Sequence, residues 1–349
     1  MLQKVLQNFG LDFSMLDVKP FGSGLINNTW KINQKNSSDA FILQRINHQV
    51  FKSPEDIAYN VRMIGDFLAA HHPDYFFVRN SCTLQGADIY FIEEEGYFRL
   101  APFVKGSHTV DVLQTPNQAF EAAKQFGRFT HLLDGFPVEQ LKVTIPDFHN
   151  LSLRYQQFLH SLQSGNAQRL EDARNEIQWL KEQDYIVKRF DEMKQNPAFK
   201  LRVTHHDTKI SNVLFDENDL GICVIDLDTV MPGYFISDVG DMMRTCLSPV
   251  SEEEKDFSKI EIRPEYYEAI VRGYQQGMGD ALSPAEKSAF FDAGCYLMYM
   301  QALRFIADHL NNDQYYGAKY EGHNFVRGSN QITLLKRLLE KEEELRRVV

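Results

Sequence analysis

The sequence feature that most constrains the fold is a short polar loop followed immediately by a β-hairpin. The loop has the spacing His205-x-Asp207-x-x-x-x-Asn212, and Asp226 follows the hairpin. The hairpin is predicted because two apolar runs flank the polar turn 216–221. Residues equidistant from the centre of an antiparallel hairpin lie side by side. The pattern therefore predicts that Asn212 and Asp226 converge beside the loop that carries Asp207.

A carboxylate, an amide and a second carboxylate gathered in this way suit phosphoryl transfer. That reaction needs a group that orients the attacking hydroxyl, oxygen ligands for Mg²⁺ and cations around the phosphates. Asp207 is the predicted base, Asn212 and Asp226 are the predicted Mg²⁺ ligands, and Lys209 is predicted to neutralise charge on the transferred group. His205 is predicted to brace the loop. The alternative is that these polar residues only cap local backbone and that Lys209 is a surface lysine.

The chain before residue 105 is predicted to form a small β-rich lobe with one helix. A stripe of apolar residues with helical period runs from 57 to 68. Five segments have the composition of strands: 17–21, 29–32, 40–46, 87–92 and 97–101. We therefore predict one unit over residues 1–104.

After residue 104 the apolar period is mainly helical. Long helical patterns cover 151–163, 167–194, 263–276, 284–310 and 329–346. A chain of 349 residues also exceeds what one compact core usually holds. The predicted fold class is therefore α+β with two lobes, a small β-rich N-lobe over 1–104 and a larger, mainly α C-lobe over 105–349.

Charge and hydropathy exclude two classes of partner. The net charge is −11 and no cluster of Lys and Arg is present, whereas a nucleic-acid backbone is bound mainly by clustered cations. No apolar run reaches the about 20 residues that a membrane-spanning helix needs. We therefore expect a cytoplasmic protein that binds neither nucleic acid nor membrane.

The polar loop and hairpin resemble those of the aminoglycoside phosphotransferase and choline kinase superfamily, on the strings 205–212 and 224–226. More narrowly, the strings 204–209, 225–233 and Asp238-x-Gly240-Asp241 resemble the N-acetylhexosamine 1-kinases. The resemblance implies a protein-kinase-like fold with ATP and Mg²⁺ in the cleft, Asp207 as base, and a small-molecule sugar as acceptor, phosphorylated on its anomeric hydroxyl. Asp238 and Asp241 are predicted to accept backbone N–H groups near a helix start.

The predicted nucleotide contacts lie in the N-lobe. Gly22, Ser23 and Gly24 are predicted to form a glycine loop over the phosphates, because they join the first two strands. Arg45 shares one face of the third strand with Phe41 and Leu43, where kinases carry a phosphate-binding Lys. An arginine retains that role because it can clamp two phosphate oxygens. Lys31 is the alternative cation, and Glu55 is the nearest candidate for an acidic partner.

The hinge and the acceptor pocket complete the predicted site. Pro102 and Phe103 follow the fifth strand, where backbone groups can contact adenine between apolar walls. Arg304 and Tyr315 are predicted sugar contacts by the resemblance to the N-acetylhexosamine kinases. The alternative for Arg304 is an ion pair with Asp308, one helical turn later.

Two other functions remain open from the sequence. Leu25 stands where kinases of the N-acetylhexosamine type often carry His, which leaves room for another kinase of the superfamily, acting on choline, an aminoglycoside or homoserine. Cationic acceptors of that kind require a dense acidic pocket, whereas the acidic excess of this chain is diffuse. A catalytically inactive binding protein with a kinase fold is the alternative of a different class, because fold does not fix function.

Overall fold

The computed structural model describes residues 1–22 and 27–348 and confirms the predicted α+β class. Its N-lobe strands are β1 Leu16–Pro20, β2 Asn28–Gln34, β3 Ala40–Ile46, β4 Tyr90–Ile92 and β5 Gly96–Pro102. They form one antiparallel sheet in the order β1-β2-β3-β5-β4. All five predicted strands of this lobe are therefore present, with small shifts at their ends.

The two faces of this sheet have different partners, because side chains alternate along each strand. One face packs apolar residues such as Leu43 and Leu100 against the N-terminal helix α1 (Leu2–Asn8). The opposite face carries Gln44 and Arg99 and faces the C-lobe. The sequence analysis missed α1, because seven residues are too few to display a helical period.

Helix α2 (Pro54–His71) ties the N-lobe chain to the larger core. Ile57 and Ile64 on its apolar stripe belong to the hydrophobic cluster of the C-lobe. The side-chain amide of Asn60 is fully buried and donates to the carbonyl oxygen of Val230 at 3.0 Å. The predicted helix is therefore present, and its packing partner is the C-lobe.

The C-lobe is mainly helical, as predicted. Its helices are α3 Pro116–Leu132, α4 Leu151–Ser164, α5 Ala167–Asp172, α6 Arg174–Glu182, α7 Tyr185–Gln195, α8 Phe235–Cys246, α9 Pro264–Met278, α10 Pro284–Ser288, α11 Phe290–Leu310, α12 His323–Glu340 and α13 Glu342–Leu345. The patterns at 167–194 and 284–310 were each expected to be one helix and are divided into shorter ones. Within 1–22 and 27–348, no helix has the length and apolarity to cross a membrane.

Glycines let two helix pairs of this lobe approach until their backbones touch. A Cβ atom on Gly273 of α9 would lie 2.2 Å from the carbonyl oxygen of Phe120 on α3. On α8, a Cβ atom on Gly240 would lie 2.3 Å from the carbonyl oxygen of Ala293 on α11. Neither position can accept a side chain without moving a helix, so α3 with α9 and α8 with α11 form rigid pairs.

Two short antiparallel pairs of strands frame the polar loop. β6 (Arg202–Thr204) pairs with β9 (Met231–Gly233), and β7 (Val213–Phe215) pairs with β8 (Gly221–Val224) as the predicted hairpin. The polar loop connects β6 to β7, and Asp226 follows β8. The sheet pairs therefore hold both ends of the predicted site.

Candidate active site

The hairpin places Asn212 beside the chain that carries Asp226. Val213 pairs with Val224, and the ladder extends one step because the amide of Ile225 donates to the carbonyl oxygen of Asn212 at 2.9 Å. Asp226 then adopts a left-handed conformation with φ = 61°, which Asp and Asn tolerate better than most residues. The structure thus brings together the two residues predicted as metal ligands.

Asp207 lies at the centre of this arrangement as an ionised hydrogen-bond acceptor. Its Oδ2 accepts from the Nζ of Lys209 at 3.0 Å and from the Nδ2 of Asn212 at 3.1 Å. Burial works to raise the pKa of Asp207, but the ammonium group of Lys209 and these hydrogen bonds outweigh it, so the pKa lies below its ordinary value. Because Oδ2 is engaged, Oδ1 is the oxygen that can accept a proton from a hydroxyl.

His205 braces the loop, as the sequence analysis predicted. Its Nδ1 accepts from the amide of Asp207 at 3.3 Å, and its Nε2 lies 2.9 Å from the carbonyl oxygen of Ile225. With Nδ1 as an acceptor, the hydrogen on Nε2 is the one donated to the carbonyl oxygen of Ile225. His205 therefore ties the base to the strand that precedes Asp226.

Two carboxylates of α8 support the loop from beneath. Asp238 accepts from the amides of His205 at 3.1 Å and His206 at 2.7 Å. Asp241 accepts from the amide of Thr208 at 2.9 Å. Burial raises the pKa of Asp238 to about 6. Both residues accept backbone N–H groups as predicted, although the groups belong to the polar loop rather than to their own helix.

His206 connects the loop to a segment that the sequence analysis did not single out. Its backbone is left-handed, with φ = 67°, and its Nδ1 lies 3.5 Å from the Nδ1 of His149. Burial lowers the pKa of His206 to about 4 and holds that of His149 well below its ordinary value. A Cβ atom at Gly233 would lie 2.5 Å from the His206 ring, so β9 carries glycine there. Both rings are therefore neutral at pH 7.

The carboxylates after β8 provide the donor set of a hard cation. Burial and the neighbouring carboxylates of Asp228 and Asp207 raise the pKa of Asp226 to about 6, although Arg99 and Lys209 act to lower it. Carboxylate and amide oxygens are the ligands that Mg²⁺ prefers, and few protein ligands suffice when phosphates and water complete the shell. Across residues 1–22 and 27–348, no group of three or more His, Cys, Asp or Glu side chains has the geometry of a metal site. The donor set fits a metal that is bound together with a nucleotide.

An ion pair that the sequence analysis missed joins the two lobes above this donor set. The guanidinium of Arg99 on β5 is paired with the carboxylate of Asp228, and both side chains are buried. The other carboxylate oxygen of Asp228 accepts from the side-chain amide of Asn27 at 2.9 Å. The sequence gives no signal for this role of Arg99, because its pairing partner is 129 residues away.

The structure corrects the prediction for Arg45. Because Arg45 shares a face of β3 with Leu43, it lies on the side that packs against α1, opposite to Gln44. Its guanidinium lies 3.6 Å from the carboxylate of Glu95 in the turn between β4 and β5. Glu95, and not Glu55, is therefore its acidic partner, and Arg45 is not part of the cleft. The prediction took the face of β3 that carries Leu43 and Arg45 as the cleft face, because the alternation of side chains does not show which face of a strand lies toward a ligand.

The remaining nucleotide-side predictions are only partly within the described residues. Ser23, Gly24 and Leu25 lie outside them, and Gly22 precedes them with a positive φ of 80°. Pro102 ends β5, and the ring of Phe103 meets that of Phe21 edge-on with centroids 6.0 Å apart. These aromatic rings provide an apolar wall at the predicted hinge.

On the acceptor side, Arg304 and Tyr315 lie together. The Nη2 of Arg304 is 3.4 Å from the hydroxyl oxygen of Tyr315, and its guanidinium carbon is 5.3 Å from the ring centroid of Tyr316. The alternative ion pair with Asp308 does not form, because that carboxylate accepts from the amides of Tyr315 at 2.7 Å and Tyr316 at 2.9 Å. Arg304 is therefore left with the neutral amide of Gln301 and the tyrosine hydroxyl.

A second arginine and a pair of aromatic rings link this cluster to the base. Phe148 stacks on His149 and lies 5.9 Å from the guanidinium carbon of Arg304. Arg154 donates to the carbonyl oxygen of Asp147 at 2.7 Å, and burial together with nearby Arg304 lowers its pKa. The sequence held no signal for these residues beyond an aromatic pair ahead of a helix.

Comparisons with known proteins agree with this fold. An aminoglycoside phosphotransferase from Alicyclobacillus acidocaldarius matches with a TM-score of 0.63 and 12% identity, over 98% of this chain and 96% of that one. A choline kinase from Cryptosporidium parvum matches with a TM-score of 0.53 and 16% identity, over 96% and 91%. An amicoumacin kinase in complex with AMP-PNP and Ca²⁺ matches with a TM-score of 0.57 and 14% identity, over 96% and 92%. The two-lobed, protein-kinase-like fold that the sequence predicted is therefore confirmed.

The sequence itself identifies the family. The profile of the phosphotransferase enzyme family matches residues 17–284, which include β1, the polar loop, the hairpin and α8. The match covers well over half of the 349 residues. The matched range contains Asp207, Asn212 and Asp226, whereas Arg304 and Tyr315 lie outside it. The chain belongs to the phosphotransferase enzyme family, that of the aminoglycoside phosphotransferases.

Proposed function

We propose that the chain transfers the γ-phosphoryl group of ATP to the anomeric hydroxyl of an N-acetylhexosamine or a related neutral sugar, which gives a sugar 1-phosphate. The observation that carries the proposal is the cluster around Arg304, where guanidinium groups with neutral partners lie among aromatic rings; we take this cluster as the acceptor pocket. The strings 204–209 and 225–233, which resemble the N-acetylhexosamine 1-kinases, support the same acceptor.

Each predicted residue of the polar loop and hairpin has a role in this reaction. Mg²⁺-ATP supplies the electrophilic phosphoryl group. Oδ1 of Asp207 accepts the proton of the attacking hydroxyl. Lys209, anchored on the other oxygen of that carboxylate, neutralises charge on the group in transfer. Asn212 and Asp226 hold the metal, since the amide nitrogen of Asn212 is engaged by Asp207 and its oxygen is the atom left to ligate.

The N-lobe binds the nucleotide. Gly22, Ser23 and Gly24 form the loop that covers the phosphates with backbone N–H groups. Pro102 and Phe103 form the hinge beside adenine, with Phe103 as one apolar wall. This assignment follows the position of these residues relative to β1, β2 and β5.

The charge of the acceptor pocket favours a sugar over a cation. Arg304 donates to an amide and a phenol, and Arg154 donates to the carbonyl of Asp147 and to the amide of Gln157. Among the residues that the structure describes, no carboxylate makes a direct contact with either guanidinium. A quaternary ammonium or a polyamine would meet like charge there, which costs affinity. Sugar hydroxyl and carbonyl oxygens instead accept from guanidinium groups, and sugar ring faces pack on aromatic rings.

An acceptor panel tests this proposal. ATP consumption is measured with GlcNAc, GalNAc, glucose, choline, homoserine and an aminoglycoside, and phosphorus NMR then identifies the phosphorylated position. We expect turnover with an N-acetylhexosamine and a product resonance split by the anomeric proton. Efficient turnover with choline or an aminoglycoside would refute the sugar assignment. Nucleotide binding without turnover on any acceptor would favour the inactive binding protein.

The pocket is tested separately with Arg304→Met. Loss of hydrogen bonds from a charged group should raise the KM for the sugar about tenfold or more, with unchanged affinity for ATP. Arg337→Met is the matched control, because Arg337 is an exposed arginine on α12 paired with Glu340. An unchanged sugar KM in Arg304→Met would remove this arginine from the acceptor site.

A further inference from the structure

The cleft-facing side of the sheet offers a buried cation on an unexpected strand. Kinases commonly carry their phosphate-binding lysine on the third strand. In this chain the cleft-facing position of β3 is Gln44, which is neutral. Its cross-strand partner on β5 is Arg99, whose Nε donates to the side-chain oxygen of Gln44 at 2.9 Å. The glutamine thus holds a neighbouring guanidinium where a lysine would otherwise stand.

Arg99 lies close to the chain segment that carries the proposed metal ligand. Its Nη1 is paired with Asp228, two residues after the proposed metal ligand Asp226. Asn27, the first described residue after the glycine loop, donates to the same carboxylate of Asp228 at 2.9 Å. Asn27, β5 and the chain after β8 therefore meet at the carboxylate of Asp228.

The guanidinium retains donors for an anion. Arginine has five N–H groups, of which Arg99 uses one on Nε for Gln44 and one on Nη1 for Asp228. Within residues 1–22 and 27–348, both hydrogens of Nη2 and one of Nη1 have no partner. Lys31 lies on the same sheet face, but its ammonium group is 3.5 Å from the ring centroid of Phe103, on the hinge side of the cleft.

We infer that Arg99 binds the phosphate chain of the nucleotide, taking on β5 the role that a lysine has on the third strand of other kinases. The inference rests on the proposed nucleotide site and names a residue that the sequence resemblance did not. The guanidinium stays anchored by Gln44 and Asp228 and presents its remaining N–H groups to phosphate oxygens. Arg99 would then contribute to the binding of ATP and ADP through their phosphates, and it would not contribute to the affinity for adenosine, which has no phosphate.

Binding of Mg²⁺-ATP, Mg²⁺-ADP and adenosine by calorimetry tests this inference without any acceptor. The variant is the double substitution Arg99→Met and Asp228→Asn, which removes both charges and leaves no unpaired buried ion. We expect the Kd for ATP and ADP to rise about 10- to 100-fold, with the Kd for adenosine within about twofold of the wild type. Arg99→Lys should retain part of the affinity that the double variant loses, because lysine keeps the positive charge but lacks the planar guanidinium that can donate to two phosphate oxygens.

Arg45→Met is the matched control, because Arg45 is an ion-paired arginine of the same sheet on the opposite face. It should bind all three ligands as the wild type does. Equal losses for ATP and adenosine in the double variant would assign Arg99 a structural role and overturn the inference, as would no loss at all. A wild-type chain that binds neither ATP nor ADP would instead overturn the proposed function, and this inference with it.

Discussion

Asp207 is the residue on which the proposed chemistry most directly depends. Asp207→Asn keeps the shape of the side chain but removes the proton acceptor, so we expect turnover to fall by about a hundredfold to ten-thousandfold while nucleotide affinity is retained. Steady-state assays and calorimetry on the same preparation measure the two effects. Glu217→Gln is the control, since Glu217 is an exposed carboxylate in the turn of the adjacent hairpin. Full activity of Asp207→Asn would exclude this residue as the base.

His206 makes stability depend on pH. Its folded pKa of about 4 lies below the unfolded value of 6.5, so its contribution to stability is present above pH 6.5 and is lost as pH falls toward 4. Between pH 7 and pH 5 this amounts to about 2 kcal/mol. Asp238 acts in the opposite sense, because its pKa is raised from 3.8 to about 6. Its contribution to stability is present below pH 3.8 and is lost as the pH rises through 6.

The variant His206→Asn isolates the contribution of the imidazole, since asparagine tolerates the left-handed backbone. Urea denaturation at pH 7 and pH 5 gives the free energy of unfolding of both proteins. We expect the wild type to lose about 2 kcal/mol more than the variant between these pH values. The same loss in both proteins would contradict this assignment.

At the residue scale, the sequence could predict which residues lie close together when a local pattern connects them. Asp207, Asn212 and Asp226 lie within 20 positions, and the hairpin that connects them could be predicted from its turn. Arg99 and His149 could not be found in this way, because their partners are distant in sequence and only the folded chain brings them together. The predicted phosphate-binding role of Arg45 was wrong, because the alternation of side chains separates the two faces of a strand but does not show what each face packs against.

At the element scale, the close contact between α3 and α9 should make the stability of the fold sensitive to any added side-chain volume at Gly273. Gly273→Ala would place a methyl group 2.2 Å from the backbone of Phe120, so we expect a loss of about 1–3 kcal/mol in the free energy of unfolding. Gly65→Ala on α2 is the control, because the added methyl meets only the mobile guanidinium end of Arg79. Equal stability of both variants in chemical denaturation would contradict the close packing of α3 and α9.

The elements themselves were mostly predictable, and their boundaries and partners were less so. Strands and long helices have periods that extend over many residues, so β3 and α9 were located within a few positions. The break at Ala289 between α10 and α11 was missed because the apolar pattern continues across it. The packing of α2 on the C-lobe core was also missed, because an apolar stripe on a helix does not show which element the helix packs against.

At the scale of the whole molecule, nucleotide binding should couple both lobes and stabilise the chain. At a Mg²⁺-ADP concentration of 100 times Kd, binding stabilises the folded chain by about 2.7 kcal/mol, which raises the Tm by about 4 °C for a chain of this size. Thermal melts with nucleotide and Mg²⁺, and with nucleotide and EDTA, measure it. Asp226→Asn should abolish the Mg²⁺-dependent part, because the left-handed backbone accepts asparagine while the metal loses its carboxylate. A variant that retains this part would exclude Asp226 as a ligand.

The rigid pair of α8 and α11 has a consequence for the order of events in a catalytic cycle. Asp238 and Asp241, which support the loop of the predicted base, lie on α8, and Arg304 lies on α11. The backbones of α8 and α11 touch at Gly240. On the opposite side, the sheet contacts the C-lobe through the ion pair of Arg99 with Asp228. In the proposed reaction, nucleotide exchange then requires movement of the sheet and separation of this ion pair, while the proposed acceptor contact on α11 keeps its place relative to α8. Neither substrate has to wait for the other, so we expect the kinetics to follow a random sequence.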